Sequence, residues 1–254
     1  MIKNSVPFFI EEHSKNVVHS HRSDTSLVKK MAKIFLPPHH SVYFQTLTNS
    51  HGEGRELTTF LKKHHQLPFI LNIGSLSKDL TSLHPKIINL DIIYYSHIDI
   101  VADAHQLPFR DESVDMILFK NVLEHVRNPL QVLSEIFRVL KKGGFLYMKA
   151  PFLQPYHAVP DDYQRYTVSG FKELMKPYEE LEFGISVGPG SSLSWILREY
   201  LAIATSLGNQ KFYHLGLYFW GWFTFWLKYT DIFFRSNRLA DRLASAWYGL
   251  YRKP

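Results

Sequence analysis

Cysteine is absent from the 254 residues of the chain. That absence excludes a disulfide scaffold, a thiolate-ligated zinc or iron–sulfur centre, and a cysteine nucleophile. A long hydrophobic run is missing too. Sixteen positions, Phe212 to Leu227, pass without a charged residue. At a rise of ~1.5 Å each, such a helix covers roughly 24 Å, short of a hydrocarbon core of about 30 Å. The opening Met-Ile-Lys-Asn-Ser lacks the apolar stretch of a secretory signal, so the expected location is cytoplasmic. Thirteen glycines and thirteen prolines are ordinary usage and exclude collagen-like and low-complexity classes. No P-loop, Ser-His-Asp spacing or paired-carboxylate glycosidase pattern is present.

What is present is a chain with 45% hydrophobic residues, long enough for one domain with a sizeable insertion. Its net charge of +6 is unevenly placed. From Asn209 to Pro254, seven Lys or Arg face two Asp, which accounts for +5 of the total. A basic coat for nucleic acid would spread over the whole body or line one groove, so no nucleic-acid partner is expected. Here the charge flanks Phe212–Phe234, where twelve of 23 residues are aromatic. Lys211, Lys228, Arg235 and Arg238 beside that segment predict a helix lying on a membrane, at its inner face, and not one crossing it. The alternative is an aromatic helix packed on the sheet or on a second subunit, as in a homo-oligomer.

Along the chain, residues 1–23 are polar and read as a loosely held arm. Leu27, Met31, Ile34 and Phe35 recur at helical spacing, and Glu53–His65 forms a second helix with Leu57, Phe60 and Leu61 on one face. Pro68–Gly74 is a short apolar run stopping at glycine, the mark of a buried parallel strand. Further strands are expected over Lys86–Asp91, His97–Val101 and Ser113–Phe119. Asn128, Pro129 and Gln131 start a helix. Lys141 and Lys142 suit its negative end, Gly143-Gly144 stops it, and Phe145–Pro151 is the next strand. Thr167 caps a short helix, Glu180–Val187 is a strand, 191–207 an amphipathic helix, and 209–245 largely helical. Trp247–Tyr251 reads as a last strand returning to the sheet.

Strands alternating with helices predict an α/β fold with a doubly wound, mainly parallel sheet. The division is 1–66 for the arm and N-terminal helices, 67–190 for the core, 191–245 for a helical, aromatic-rich insertion, and 246–254 for the final strand.

In such a sheet the ligand sits at the carboxyl ends of the strands, where the strand order reverses. Gly74, Asp91, Asp103 and the Asn121 region occupy those ends. Gly74 lets backbone approach a ligand, and Asp91, seventeen positions on, can accept both hydroxyls of a ribose. A dinucleotide fingerprint would place glycine at 76 and 79, where Leu76 and Asp79 stand. A carboxylate pressed beside a pyrophosphate is unfavourable, so NAD is disfavoured against S-adenosylmethionine.

Segment 70–152, about a third of the chain, resembles the class I S-adenosylmethionine-dependent methyltransferases, especially the methyltransferase type 11 branch. The resemblance rests on Leu71-Asn72-Ile73-Gly74, Asn89-Leu90-Asp91, Asp103–Phe109, Asp115, Asn121–Val126 and Arg138–Gly144. It implies a Rossmann-like fold, S-adenosylmethionine as cofactor and methyl transfer as activity. It implies that Asp91 with Ile92 takes the ribose diol and that Asp103 with the Ala104 backbone reads the adenine edge. Asn72, Gly74 and Ser75 then form the first loop, and Asn121, Val122 and His125 line the methionine end. The loop keeps one glycine, which leaves a cofactor-binding scaffold without turnover as one alternative; a nicotinamide oxidoreductase is the other.

The stretch Pro151–Thr167 follows the fifth core strand and resembles that of methyltransferases associated with cell-surface polysaccharide or glycolipid genes. The expected acceptor is accordingly a small molecule or a lipid-linked glycan, methylated on oxygen or nitrogen. His157 is the candidate general base. Asp161 or Asp162 would orient it, while Tyr163, Arg165 and Tyr166 would hold the acceptor. The competing assignment makes Asp162, Arg165 and Thr167 a structural clamp. The pairs His39-His40 and His64-His65 point in different directions, and no metal is expected.

Overall fold

The computed structural model describes residues 2–3, 6–9, 55–75, 80–158, 161–234 and 237–254. The helix expected around Leu27–Phe35 lies outside them. The described strands are β1 (Ile2–Lys3), β2 (Val6–Phe9), β3 (Ile70–Ile73), β4 (Ile87–Asp91), β5 (Ile100–Ala102), β6 (Val114–Lys120), β7 (Leu140–Pro151), β8 (Glu179–Val187) and β9 (Ala246–Arg252). They form one sheet in the order β1-β2-β5-β4-β3-β6-β7-β9-β8. From β2 to β7 every neighbour is parallel, while β9 runs antiparallel between β7 and β8. The arm expected over 1–23 thus contributes two short strands to one edge.

The central strands are apolar at almost every position because both faces of the sheet are covered. Along β6, Ile117 and Phe119 enter one core with Leu71, Ile73 and Trp247, and Met116 and Leu118 enter the other. Helix α1 (Arg55–Lys63) seals the second with Leu57 and Leu61, and helix α2 (Pro129–Val139) seals the first with Val132 and Ile136.

Helix α2 starts as its sequence predicts: the Asn128 side chain accepts from the Gln131 N–H, and Pro129 takes the first turn. Its end differs. Leu140 is already extended and opens β7, so Lys141 and Lys142 belong to the strand, and Gly143 (φ 72) sits in an irregularity between the pairs Val114–Leu140 and Met116–Phe145. The cation at the negative end of α2 is Lys253, whose Nζ donates to the carbonyls of Phe137 (2.9 Å) and Leu140 (2.8 Å).

Beyond helix α3 (Val168–Leu174) and β8, helices α4 (Pro189–Thr205) and α5 (Gln210–Thr224) form a hairpin turned by Leu207 and Gly208, both at positive φ. Gly216 of α5 faces Ala202 so closely that a Cβ would stand 3.1 Å from its Cα. The segment 212–234 is therefore not one helix. After α5 a 3-10 turn (Phe225–Thr230) leads to helix α6 (Asp231–Phe234). Among the described residues no helix is long and apolar enough to cross a membrane.

Asp231 ties this insertion down. Its Oδ1 accepts from the Gly190 N–H (2.7 Å) and its Oδ2 from the Ser191 hydroxyl (2.6 Å), at the N-terminus of α4. Burial pushes its carboxyl above the ordinary carboxylate value, and the donors at Ser191 and Gly190 offset only part of that. Asp231→Ala should lower stability by about 1–2 kcal/mol, read from the denaturant midpoint, with Asp231→Asn losing less.

Candidate active site

The strand order reverses between β3 and β6, and the chain leaves both strands by unusual backbone. Gly74 has φ 71 and Asn121 φ 52. These turns press the two loops together: a Cβ on Gly74 would lie 2.1 Å from Val122 Cγ2. Glycine is required there by its neighbour as well as by its torsion. The Gly74 and Ser75 N–H groups both turn back to the Leu90 carbonyl (2.8 and 3.4 Å), so the first loop directs neither of them outward.

Asp91 ends β4 with its side chain buried, and its Oδ1 accepts from the Ile93 N–H (2.9 Å). Ile92 follows, half-buried. Asp103 lies beyond β5 and holds His105: Oδ1 accepts from its backbone N–H (2.9 Å) and lies 2.6 Å from its Nδ1. Ala104 is buried beside it. Asn72 is not in the loop. It is buried within β3 and donates from Nδ2 to Asn89 Oδ1 across the β3–β4 pair (2.9 Å). Asn121 is exposed at the end of β6. The charged side chains at these strand ends are the carboxylates of Asp91 and Asp103, which suit a ribose diol and a cationic sulfonium better than a pyrophosphate.

After Asn121 a 3-10 turn, Leu123–His125, carries Glu124 and His125 beneath the segment that follows β7. Three bonds stitch the two together: the Tyr163 N–H to the Glu124 carbonyl (2.8 Å), Gln164 Nε2 to the Val126 carbonyl (3.1 Å), and His125 Nδ1 to the Asp161 carbonyl (2.6 Å). Asp162 and Arg165 form a bidentate pair, and Asp162 Oδ2 also accepts from the His157 N–H (2.8 Å). Burial works to raise the Asp162 carboxyl, but the Arg165 guanidinium and the His157 N–H hold it below the usual range.

These contacts correct part of the substrate-side expectation. Arg165 is taken up by Asp162 and the Pro155 carbonyl (3.1 Å), Thr167 caps α3, and the Tyr166 hydroxyl donates to Gln164 Oε1 (2.9 Å). Asp162 acts on the His157 backbone, with Nδ1 farther away at 3.6 Å. Tyr163 stands at the surface, donating to Asp161 Oδ2 (2.8 Å).

His125 lies beside His157, their rings 5.4 Å apart and edge to face. Both Nε2 atoms face Glu124 Oε1, at 3.7 and 3.8 Å. Burial lowers the His157 pKa, yet Glu124, the Pro155 carbonyl and Asp162 outweigh it and leave it raised. Burial beside Glu124 also pushes the Tyr166 phenol up. Trp195 of α4 roofs His157 at 5.8 Å between ring centroids. Sequence reasoning missed Glu124 and Trp195. The one available signal for Glu124 was a carboxylate set between apolar Leu123 and a histidine.

Residues 74–148 match the family model described as a methyltransferase domain. The match covers 75 residues, less than a third of the chain. The chain is 30% identical over 122 residues to the ubiquinone/menaquinone biosynthesis C-methyltransferase UbiE of Vibrio campbellii, covering 45% of each chain. Its fold is shared with a putative sarcosine dimethylglycine methyltransferase from Galdieria sulphuraria (TM-score 0.51, 14% identity, 85% of this chain and 96% of that one). It is shared also with a Haemonchus contortus phosphoethanolamine N-methyltransferase solved with S-adenosylhomocysteine (TM-score 0.51, 14% identity, 85% of this chain and 56% of that one). The chain spans less than half the length of the curated relatives it matches.

Gly74→Ala should destabilise the fold by about 1–2 kcal/mol from the torsion alone, with the clash against Val122 in addition. Adding Val122→Ala should recover the clash part. A double-mutant cycle on thermal unfolding checks this; equal losses with and without Val122→Ala would mean that Val122 yields freely.

Proposed function

We propose that the protein is an S-adenosylmethionine-dependent methyltransferase acting on an oxygen or nitrogen of a small or lipid-linked glycan-type acceptor. The observation that carries this reading is the pairing of two poles across one switch point. On one side lie Gly74, Ser75, Asp91 and Asp103, a carboxylate-rich cleft suited to the cofactor. On the other lies the pole made by Glu124, His125 and His157. When bound, the cofactor supplies an electrophilic methyl group and leaves as a neutral thioether. An acceptor held at the Glu124–His125–His157 pole would give up its proton there. The chain's own part is to hold the acceptor in line and exclude water, for which the Trp195 roof is suited.

Calorimetry with S-adenosylmethionine and S-adenosylhomocysteine should give one site per chain, lost on Asp91→Ala. His157→Ala should cut methyl transfer by about 10²–10⁴-fold with cofactor affinity nearly unchanged. No heat with either ligand would overturn the reading, and heat without methyl transfer would leave a cofactor-binding scaffold.

The acceptor side also favours a membrane surface as partner. Helix α4 exposes Leu193, Ile196, Tyr200 and Ile203 at helical spacing, and Leu207 in the turn is exposed too, on the same hairpin as Phe212, Phe219 and Trp222 of α5. Lys211, Arg238 and Arg242 are exposed around them, whereas Lys228 is buried and does not serve as a lipid-facing cation. Burial lowers the Lys228 pKa accordingly. Exposed apolar area of this extent, rimmed by cations, suits an anionic bilayer surface. The protein should float with anionic vesicles and less with neutral ones. Failure to float with either, together with a dimer that covers Phe219 and Trp222, would reject the membrane in favour of a second copy.

A further inference from the structure

The carboxylate of Glu124 is 0% exposed, and neither of its oxygens has a hydrogen-bond partner among the described residues. A buried charge left so is costly, and it calls for a partner of opposite sign. Its nearest polar neighbours are two imidazole nitrogens at 3.7 and 3.8 Å, beyond hydrogen-bond length.

The imidazoles are oriented from behind. His125 Nδ1 lies 2.6 Å from the Asp161 carbonyl and His157 Nδ1 lies 3.0 Å from the Pro155 carbonyl. A carbonyl can only accept, so the hydrogen of His125 sits on Nδ1 and its Nε2 lone pair turns inward; at His157 the Pro155 carbonyl favours the same tautomer, while Arg165 Nη2, a donor, approaches that Nδ1 at 3.3 Å. That is the arrangement in which a histidine ligates a metal through Nε2 while its other nitrogen is fixed by a backbone carbonyl. One ligand atom from each of Glu124, His125 and His157 lies within 4.8 Å of the other two. Metal bonds of about 2.0–2.2 Å set neighbouring ligand atoms about 3.0–3.5 Å apart, so a small inward turn of the rings closes the set.

We propose that Glu124, His125 and His157 bind a divalent first-row transition cation. Two imidazoles and one carboxylate suit Zn²⁺, Co²⁺ or Mn²⁺ and fit poorly the all-oxygen preference of Ca²⁺ or Mg²⁺. Three protein ligands leave a position open, and the partial exposure of His125 and His157 puts it on the acceptor side. The role follows from this and rests on the methyltransferase reading given above. With the cation bound, His157 serves as ligand in place of base: an acceptor hydroxyl at the open position becomes more acidic, gives its proton to water and presents its oxygen to the methyl group. The acceptor class is therefore an alcohol or phenol, not an amine.

The test is metal uptake by the full chain after chelator treatment and dialysis against Co²⁺ and, separately, Zn²⁺. One ion per chain is expected, with visible d–d absorption in the Co²⁺ form. Affinity should fall about 100-fold or more in Glu124→Gln and in His125→Ala. Glu124→Gln keeps the shape of the side chain, so it remains informative if His125→Ala does not fold, and far-UV circular dichroism checks both. Uptake that is absent, or equal in wild type and the folded variants, overturns the proposal and leaves a bare imidazolium–carboxylate pair. S-adenosylmethionine calorimetry on the same samples separates the two readings. Cofactor binding without metal uptake sinks only the metal site, and metal uptake without cofactor binding sinks only the methyltransferase.

Discussion

An aspartate and an arginine drawn largely out of water have little alternative to each other, and removing one partner from such a pair costs about 3–5 kcal/mol. Asp162 and Arg165 are in that position, the aspartate side chain 1% exposed. Their bidentate contact occupies both carboxylate oxygens, and one of these also receives the His157 N–H. Arg165 reaches on to the Pro155 carbonyl, which faces His157 Nδ1. The pair therefore fixes both the backbone and the ring of His157, and with them the whole segment laid over the 3-10 turn. Glu124 keeps its setting only because that segment covers it.

The sequence discloses what is local. The start of α2 could be read because Asn128, Pro129 and Gln131 act within one turn of each other. The central strands could be read because burial on both faces leaves an unbroken apolar run, and the acids at strand ends because the parallel topology puts them there. The end of α2 could not be read. Its carbonyls are met by a lysine 113 and 116 positions away, while the two lysines beside it serve a strand.

The chemistry around His157 was partly legible for the same reason. Residue types announced a reactive segment, but Asp162 and Arg165 were equally suited to substrate and to each other, and only the fold decides between them. Glu124 was hidden because a single carboxylate in a motif carries no record of its burial. In the insertion, composition marked the aromatic stretch as one that meets a membrane or packs on protein. It could not tell that Gly216 lets α5 rest on α4, or that Lys228 turns inward.

The place of β9 bears on how the chain comes to be folded. β7 and β8 do not touch as neighbours; β9 lies between them and pairs with both along its whole length. Its Trp247 indole donates to the Tyr166 carbonyl (2.9 Å), across 81 positions of sequence. On the ribosome, β7 and β8 emerge long before their shared partner, and during that interval each presents an open edge in an unfinished sheet. The half of the sheet that carries the His157 segment is thus assembled last, after translation of residue 252, and its formation is slow in the manner of all long-range strand pairing.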